Sequence, residues 1–421
     1  MSASRISIVL SLALAVPHLR ADDWPQFLGP TRDGVSKETA LNVDWAKKEP
    51  AVVWKAEVDE GVSSFCIVTA LPAPSQRPVL GPKLYTMGNN HSKEAVQCLD
   101  GATGKSLWKQ VYRCRNETRN FGGGTVSTPS YDAGLLYTLS HHGNLFCWDA
   151  TTGEKKWEAD LEEEYKGHRM QWGWAESPLV TGSLVVVQTG AADGALLALD
   201  KLTGKPVWKT GVDMPGYATG LPFEFANKPA VAFFNASGLV GSSLENGKEL
   251  FRFGWKTEFD VNASMPLYKD GVFFLSSGYG RGCAAIDVSS GTPAQRWANP
   301  SMCLHFQNSV LVDGKVYGVS GDNRGNTTGE LKCIDFATGA LAWSEPMGKT
   351  YGQIIVVAGK LLIQADTGEL VAVQPSAAKY QELARMQVLG GAKAWTVPAF
   401  SNGFIYCRQN EGSMVCLDLR P

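Results

Sequence analysis

The sequence predicts an all-β protein, an eight-bladed β-propeller of four-stranded antiparallel blades closed into a ring. Three observations carry this. A short phrase recurs along the chain, its spacing is that of propeller blades, and the two chain ends each hold part of one further copy. The phrase first reads Val96-Gln97-Cys98-Leu99-Asp100, then Thr103-Gly104-Lys105, then Trp108. It returns at Leu145 to Asp149 with Thr152, Gly153 and Trp157, and at Leu196 to Asp200 with Thr203, Gly204 and Trp208. Worn copies centre on Ser243 and Asp287, a clear one on Asp335, a worn one on Gln374, and the last on Asp418. Neighbouring copies lie 39 to 51 residues apart. Repeats of roughly 40–50 residues are the period of blades built from four strands.

Each copy reads as strand, tight turn, strand. The run before the Asp is apolar or alternates, as a buried or half-buried strand does. Asp followed by Thr-Gly supplies a side-chain acceptor and then a residue free to take positive φ. The Trp falls on the outgoing strand, where it can cover the packing between neighbouring sheets. Upstream of the second copy, Ser127 to Ser130 and Leu135 to Leu139 flank Asp132-Ala133-Gly134 and supply two more strands. The last copy stops before its Trp strand. The run Ala51 to Val58, with Trp54, has the Trp-strand pattern without the preceding phrase. Residues 51–58 are therefore expected to complete the eighth blade and remove the open edges of the ring. Ser376 to Arg385 is the one modest helical candidate.

Ahead of the ring, Arg5 and the apolar run Ile6 to Ala15 read as a secretory signal peptide over residues 1–21, cleaved after Ala15 or Ala21. Residues 22–50 form an N-terminal extension, and 51–421 a single propeller. The expected location is periplasmic or secreted, with no membrane span. A net charge of −2 in 421 residues favours neither nucleic acid nor an anionic surface as a partner. A monomer is expected. Of the nine cysteines, Cys98, Cys147, Cys333 and Cys416 share one slot, two residues before the Asp, which Ala198, Ala285 and Ala372 fill in other copies. The slot wants a small buried side chain, and Cys serves as one.

Propeller topology puts the starts of the inner strands, the links between blades and the loops between second and third strands on one face, with the channel mouth. Binding residues are expected on such loops. The candidates there are Trp174, Glu176, Tyr217, Asn262, Arg281, His305, Gln307, Gln353 and Trp395. Arg and Asn offer oriented donors, and Trp and Tyr offer flat faces for a small polar ligand or a sugar. Longer loops add Arg115, Arg119, Asp322, Asn323 and Arg324. His305, Tyr351, Arg281 and Asp260 are the candidates for acid–base and charge-stabilising roles. His91, His141, His142, His168 and His305 fall on the same face, which leaves a metal ion open, although their spacing matches no zinc signature. Gly122-Gly123-Gly124 lacks the strand-to-helix context of a phosphate cradle. Asp322 to Asn326 resembles a calcium loop in composition alone.

The phrase Leu-Asp-x-x-Thr-Gly-Lys-x-x-Trp, as in Leu99 to Trp108 and Leu199 to Trp208, resembles the repeat of pyrroloquinoline-quinone-type propellers over residues 51 to 419. Asp23-Trp24-Pro25-Gln26-Phe27-Leu28-Gly29-Pro30 is similar to the opening of exported propellers of this family in planctomycete-like bacteria. In quinoprotein dehydrogenases the resemblance would imply a quinone under a Cys-Cys disulfide, a calcium ion and an Asp base. This chain has no adjacent cysteines and no long insertions to build that site, so no quinone and no resident cofactor are expected. The chain is nearer in size to the outer-membrane assembly scaffold of the same ring, though it lacks that scaffold's lipid-bearing Cys. Some polysaccharide lyases are also propellers, with His, Tyr and Arg in a central cleft. The leading expectation is a binding or scaffold module of the cell envelope, holding an envelope protein, a polysaccharide or a small polar ligand at the channel mouth. A carbohydrate-active lyase or hydrolase on the same face is the alternative, and a quinoprotein oxidoreductase the second.

Overall fold

The computed structural model describes residues 23–69, 81–115, 123–322, 328–391 and 393–421. The expected leader, Arg119, Asn323 and Arg324 lie outside these. Thirty-two strands form eight four-stranded antiparallel sheets. Blade 1 runs Cys66–Val68, Lys83–Asn89, Lys93–Asp100 and Ser106–Arg113, from the channel outward. Blades 2 to 7 repeat this order with inner strands Ser130–Asp132, Leu179–Thr181, Leu221–Phe225, Leu267–Lys269, Ser309–Val312 and Gly352–Val357. Blade 8 takes Ala399–Ser401, Phe404–Arg408 and Ser413–Asp418 from the C-terminus and Ala51–Glu57 from the N-terminus. Ala51 pairs with Asp418 and Glu57 with Ser413, so the ring closes as its sequence implies. The helical candidate at Ser376 to Arg385 is instead a loop leading into the strand Glu382–Gln387. Alternating exposure along that strand shows why: its period is two, not 3.6. The single helix among the described residues is a 3-10 turn, Glu258–Asp260.

The repeated phrase works on the lower face. Asp100 Oδ1 accepts from the backbone N–H groups of Ala102 and Thr103 and from the Thr103 hydroxyl, which fixes the turn. Asp200 and Thr203 repeat the arrangement. In six of the eight blades a Trp then docks on the turn of the next. Trp54 Nε1 donates to Gly101 O at 2.9 Å, Trp157 Nε1 to Lys201 O at 3.0 Å, and Trp297 Nε1 to Phe336 O at 3.0 Å. The turn glycine is required twice over. Gly104 has φ +70°, and a Cβ there would meet the Trp54 ring at 2.7 Å. The cysteine slot is buried in every copy, and all nine cysteines are free thiols.

Each outermost strand slips register by one residue just before the repeat's Trp position, which Phe251 fills in blade 4 and Ala384 in blade 7. The bulged residues are Val53, Leu107, Lys156, Val207, Leu250, Arg296, Ala342 and Leu383. The bulge turns the following side chain toward the neighbouring blade and interrupts the exposed edge.

A second belt circles the channel near its upper end. Ser64 N donates to Thr128 Oγ1, Thr128 N to Ser177 Oγ, and Ser177 N to Thr219 Oγ1. Met265 N donates to Asn308 Oδ1, Asn308 N to Gln353 Oε1, and Gln353 Nε2 to Trp395 O. Ser64 Oγ donates back to Val397 O at 2.6 Å. Seven neighbouring blade pairs are thereby held together by side chain to backbone bonds, and blades 4 and 5 are joined by Tyr217 N and Ala218 N donating to Asn262 O. At the closing seam Arg408 does more. It is fully buried and donates to the carbonyls of Asp59, Ser63 and Met87 and to the Thr86 hydroxyl of blade 1. Burial lowers its pKa to about 9.

The extension has a role that the sequence did not disclose. Trp24 bridges Ile67 of blade 1, and Tyr131 N of blade 2 donates to Pro25 O. Arg32 donates to Val180 O of blade 3, Gly34 lies on Val310 of blade 6, and Val35 bridges Val356 of blade 7. Glu38 accepts from Asn402 N and Gly403 N of blade 8. Contacts with the inner strands of blades on opposite sides place residues 23–36 inside the channel. The segment rises from the lower face, turns at Phe27 to Gly34 and descends again. Trp24 is fully buried and Leu28 nearly so.

Candidate functional site

Above this plug the channel opens to a cup of about 190 Å³ on the upper face. Phe27 from the plug lies at its base, and its wall is made by residues just ahead of or at the start of the inner strands: Val62, Val126, Ala175, Ser177, Tyr217, Thr219, Val261, Ala263, His305, Phe306, Gln353, Trp395 and Val397. Trp172, His141 and Tyr279 reach in from longer links, and Gly123 and Gly124 complete the rim. No Asp, Glu, Lys or Arg is among the described residues that line it.

Strand alternation sorts the candidates. Along Trp174 to Ser177, Ala175 and Ser177 face the cup, whereas Trp174 and Glu176 face into the blades. Trp174 Nε1 donates to Gln188 O, and Glu176 accepts from Gln188 N at 2.6 Å and Gln188 Nε2 at 3.1 Å. Burial pushes the Glu176 carboxyl up to about 8. Asn262, between the cup-lining Val261 and Ala263, is fully buried. It donates to Asn235 O and Trp255 O and accepts from Ser277 Oγ. Gln307 accepts from His305 N and Phe306 N, closing the turn at the start of blade 6. These four are therefore framework groups. Of the nine ligand-binding candidates, Tyr217, His305, Gln353 and Trp395 line the cup.

The acid–base candidates converge only in part: the rings of His305 and Tyr351 lie 6.3 Å apart, while Arg281 and Asp260 lie outside the cup. His305 lines the cup, with Nε2 3.1 Å from the Tyr279 hydroxyl. Burial lowers its pKa to about 4, so the ring is neutral at ordinary pH. Tyr351 packs behind Phe306 and Trp395, at ring-centroid distances of 4.6 and 5.3 Å, and is not in the wall. Arg281 lies over the Trp255 ring at 3.6 Å, a cation–π platform outside the cup. Asp260 follows exposed Phe259 in the 3-10 turn and also lies outside it. Of the five histidines on that face, His141 and His305 reach the cup. His91, 71% exposed in its side chain, faces Glu60 at 3.9 Å. No group of three or more His, Cys, Asp or Glu among the described residues is arranged to hold a metal ion.

What the sequence reading missed is aromatic. Trp172, Tyr279 and Phe306 join Tyr217 and Trp395 in an arc. Trp172 meets Tyr217 at 5.8 Å, Tyr279 meets His305 at 4.9 Å, and Phe306 meets Trp395 at 5.3 Å. Phe259 stands at the rim, 55% exposed, edge-on to Trp172 and Tyr279. Its φ of 60° and that of Asp260 at 58° are left-handed in two successive non-glycine residues. Such backbone is costly and persists where the surroundings impose it.

Comparison with known proteins fits this architecture. A sequence profile described as outer membrane protein assembly factor BamB matches residues 92–345. The chain belongs to the BamB-like family of PQQ-repeat propellers. Among relatives of this family, the BamB of Yersinia pestis is 21% identical over 380 residues, covering 86% of this chain and 77% of its own. That of Xanthomonas campestris pv. campestris is 24% identical, covering 81% and 91%. Solved structures share the fold. BamB from Moraxella catarrhalis has a TM-score of 0.58 at 14% identity, covering 88% of this chain and 97% of its own. Quinohemoprotein alcohol dehydrogenase from Comamonas testosteroni has 0.66 at 15% identity, covering 94% and 80%. A pyrroloquinoline quinone carries three carboxylates and needs cationic donors. The described residues that line this BamB-like cup supply no such donor.

Proposed function

We propose that this protein is an envelope scaffold that binds another protein across its upper face. The observation that carries the reading is the cup itself: an open, aromatic-walled concavity on a rigid ring, with no Asp, Glu, Lys or Arg among its described lining residues. Function in such rings sits where loops vary on a fixed frame. The family's description supports an envelope role, and the leader-like residues 1–21 support export. No helix among the described residues is long and apolar enough to cross a membrane. The monomeric ring would present one such face per chain.

The test is site-specific photo-crosslinking in the producing cell. Crosslinkers at Phe259 on the upper rim and at Leu202, 64% exposed beside a lower-face turn, report the two faces. Adducts of a discrete protein from Phe259, lost in Trp172→Ala and Trp395→Ala, are expected. Equal adducts from Leu202, or adducts indifferent to the cup variants, would overturn the reading.

A further inference from the structure

We propose that the cup is a receptor for a single neutral aromatic side chain presented by a partner polypeptide, which seats on Phe27 between Trp172 and Trp395. This rests on the scaffold reading and adds the chemistry of the contact.

Size argues first. Small-molecule pockets run to roughly 300–1,000 Å³, whereas an apolar cavity of roughly 150 Å³ already takes up benzene. At about 190 Å³ the cup suits one ring and is small for an oligosaccharide or a large cofactor. Charge argues second. The described lining residues include no Asp, Glu, Lys or Arg to pair with an ionic group, and desolvating one against them would be unfavourable. His305, neutral and in contact with the Tyr279 hydroxyl, does not change that. Continuity argues third. The channel below is already filled by an extended peptide with aromatic side chains, the plug, which is bridged to the inner strands at Trp24 and Val35. Its Phe27 is exposed upward as the floor of the cup. A ring arriving from above extends that same interface, and edge-to-face partners for it stand in Trp172, Tyr217 and Trp395. The rim argues last. Phe259 is held out over Trp172 and Tyr279 by left-handed backbone, a large apolar side chain kept in solvent at the mouth of an apolar site.

The probes are N-acetyl-tryptophanamide and N-acetyl-phenylalaninamide, titrated into the full-length protein by ligand-observed NMR. N-acetyl-lysinamide and chitotriose serve as comparisons. Saturable binding of the aromatic amides is expected, with affinity lowered at least about tenfold in Phe27→Ala and Trp395→Ala, the order of loss seen on truncating a binding hot spot. Phe259→Ala removes an exposed ring and keeps the fold, so its weaker binding is read even where the buried variants misfold. No saturable binding of either amide overturns the proposal. So does binding undiminished in Phe259→Ala and the cup variants, or binding of chitotriose alone. Crosslinks from the upper rim without amide binding would sink this inference and leave the scaffold standing. Amide binding with crosslinks from the lower face would do the reverse.

Discussion

The lower and upper faces of the ring are made by the same strands, yet one repeats and the other does not. Below, Asp, Thr, Gly and Trp recur because each copy must solve one problem, docking a blade on its neighbour's turn. Above, the cup residues Val62, Val126, Ala175, Tyr217, Val261, His305, Gln353 and Trp395 follow no common pattern around the ring. Repetition marks the joints, and divergence marks the surface left free for recognition. Residues that look functional because they recur are the structural ones, and the cup is built where recurrence fails.

The contrast can be broken at several strengths. Removal of residues 51–57 takes away the strand that closes blade 8. It should abolish the cooperative transition altogether, read as loss of a sigmoidal melt by circular dichroism; a melt as sharp and as high as the parent's would refute closure by this strand. Arg408→Met leaves buried oxygens of blade 1 without their donor, at about 1–3 kcal/mol for each group left unpaired. Urea unfolding should report a loss at the upper end of single-residue effects, and a neutral result would show that the seam re-pairs. Trp157→Ala should cost about 3–5 kcal/mol through the cavity left on Gly204. Phe259→Ala on the upper rim should stay within about 0.5 kcal/mol. If the two cost alike, the division between joints and recognition surface fails.

The contrast also has a pH dependence. Glu176 titrates near 8 in the folded protein because it is buried, against an ordinary value of 4.5. Its contribution to stability is complete below about 4.5 and is lost as pH rises through 8. Glu94, pushed up to about 7 by burial, acts in the same sense. His305, lowered to about 4, acts oppositely, losing stability as pH falls below 6.5. The difference in Tm between wild type and Glu176→Gln should therefore shrink or reverse in favour of the variant from pH 5 toward 8. A constant difference would mean that Glu176 does not change protonation on unfolding.

The ring itself was legible because its cause is local and repeated. An Asp with Thr-Gly makes a turn wherever it stands, and a Trp a few residues on has one place to go. The site was less legible for a reason of alternation. Near an inner strand's start, polar side chains such as Glu176, Asn262 and Gln307 drew attention as ligand groups, yet each faces a blade and satisfies backbone there. Their neighbours Ala175, Val261 and Phe306 make the wall, and small apolar residues carry no chemical signal of their own. The pattern that could have found the belt is a Ser or Thr just before Pro at this point, as in Thr128-Pro129 and Ser177-Pro178. The plug was invisible because Trp24 and Phe27 acquire meaning from six blades distant in sequence. Arg408 stood unnoticed because a basic residue near the end of a strand is ordinarily solvated, and only ring closure brings carbonyls to it.

The one-residue slip in each outermost strand bears on how such rings live crowded together. A propeller exposes a free strand at the rim of every blade, and each is a template on which another chain could grow a sheet. Leu107, Val111 and Val207 lie exposed on those rims, which would add apolar grip to any such growth. With the ladder interrupted at the same point all around, an approaching strand finds no long run of matched donors and acceptors. Sheet-to-sheet fibre growth is thus checked eight times over by the feature that aims the docking aromatic inward.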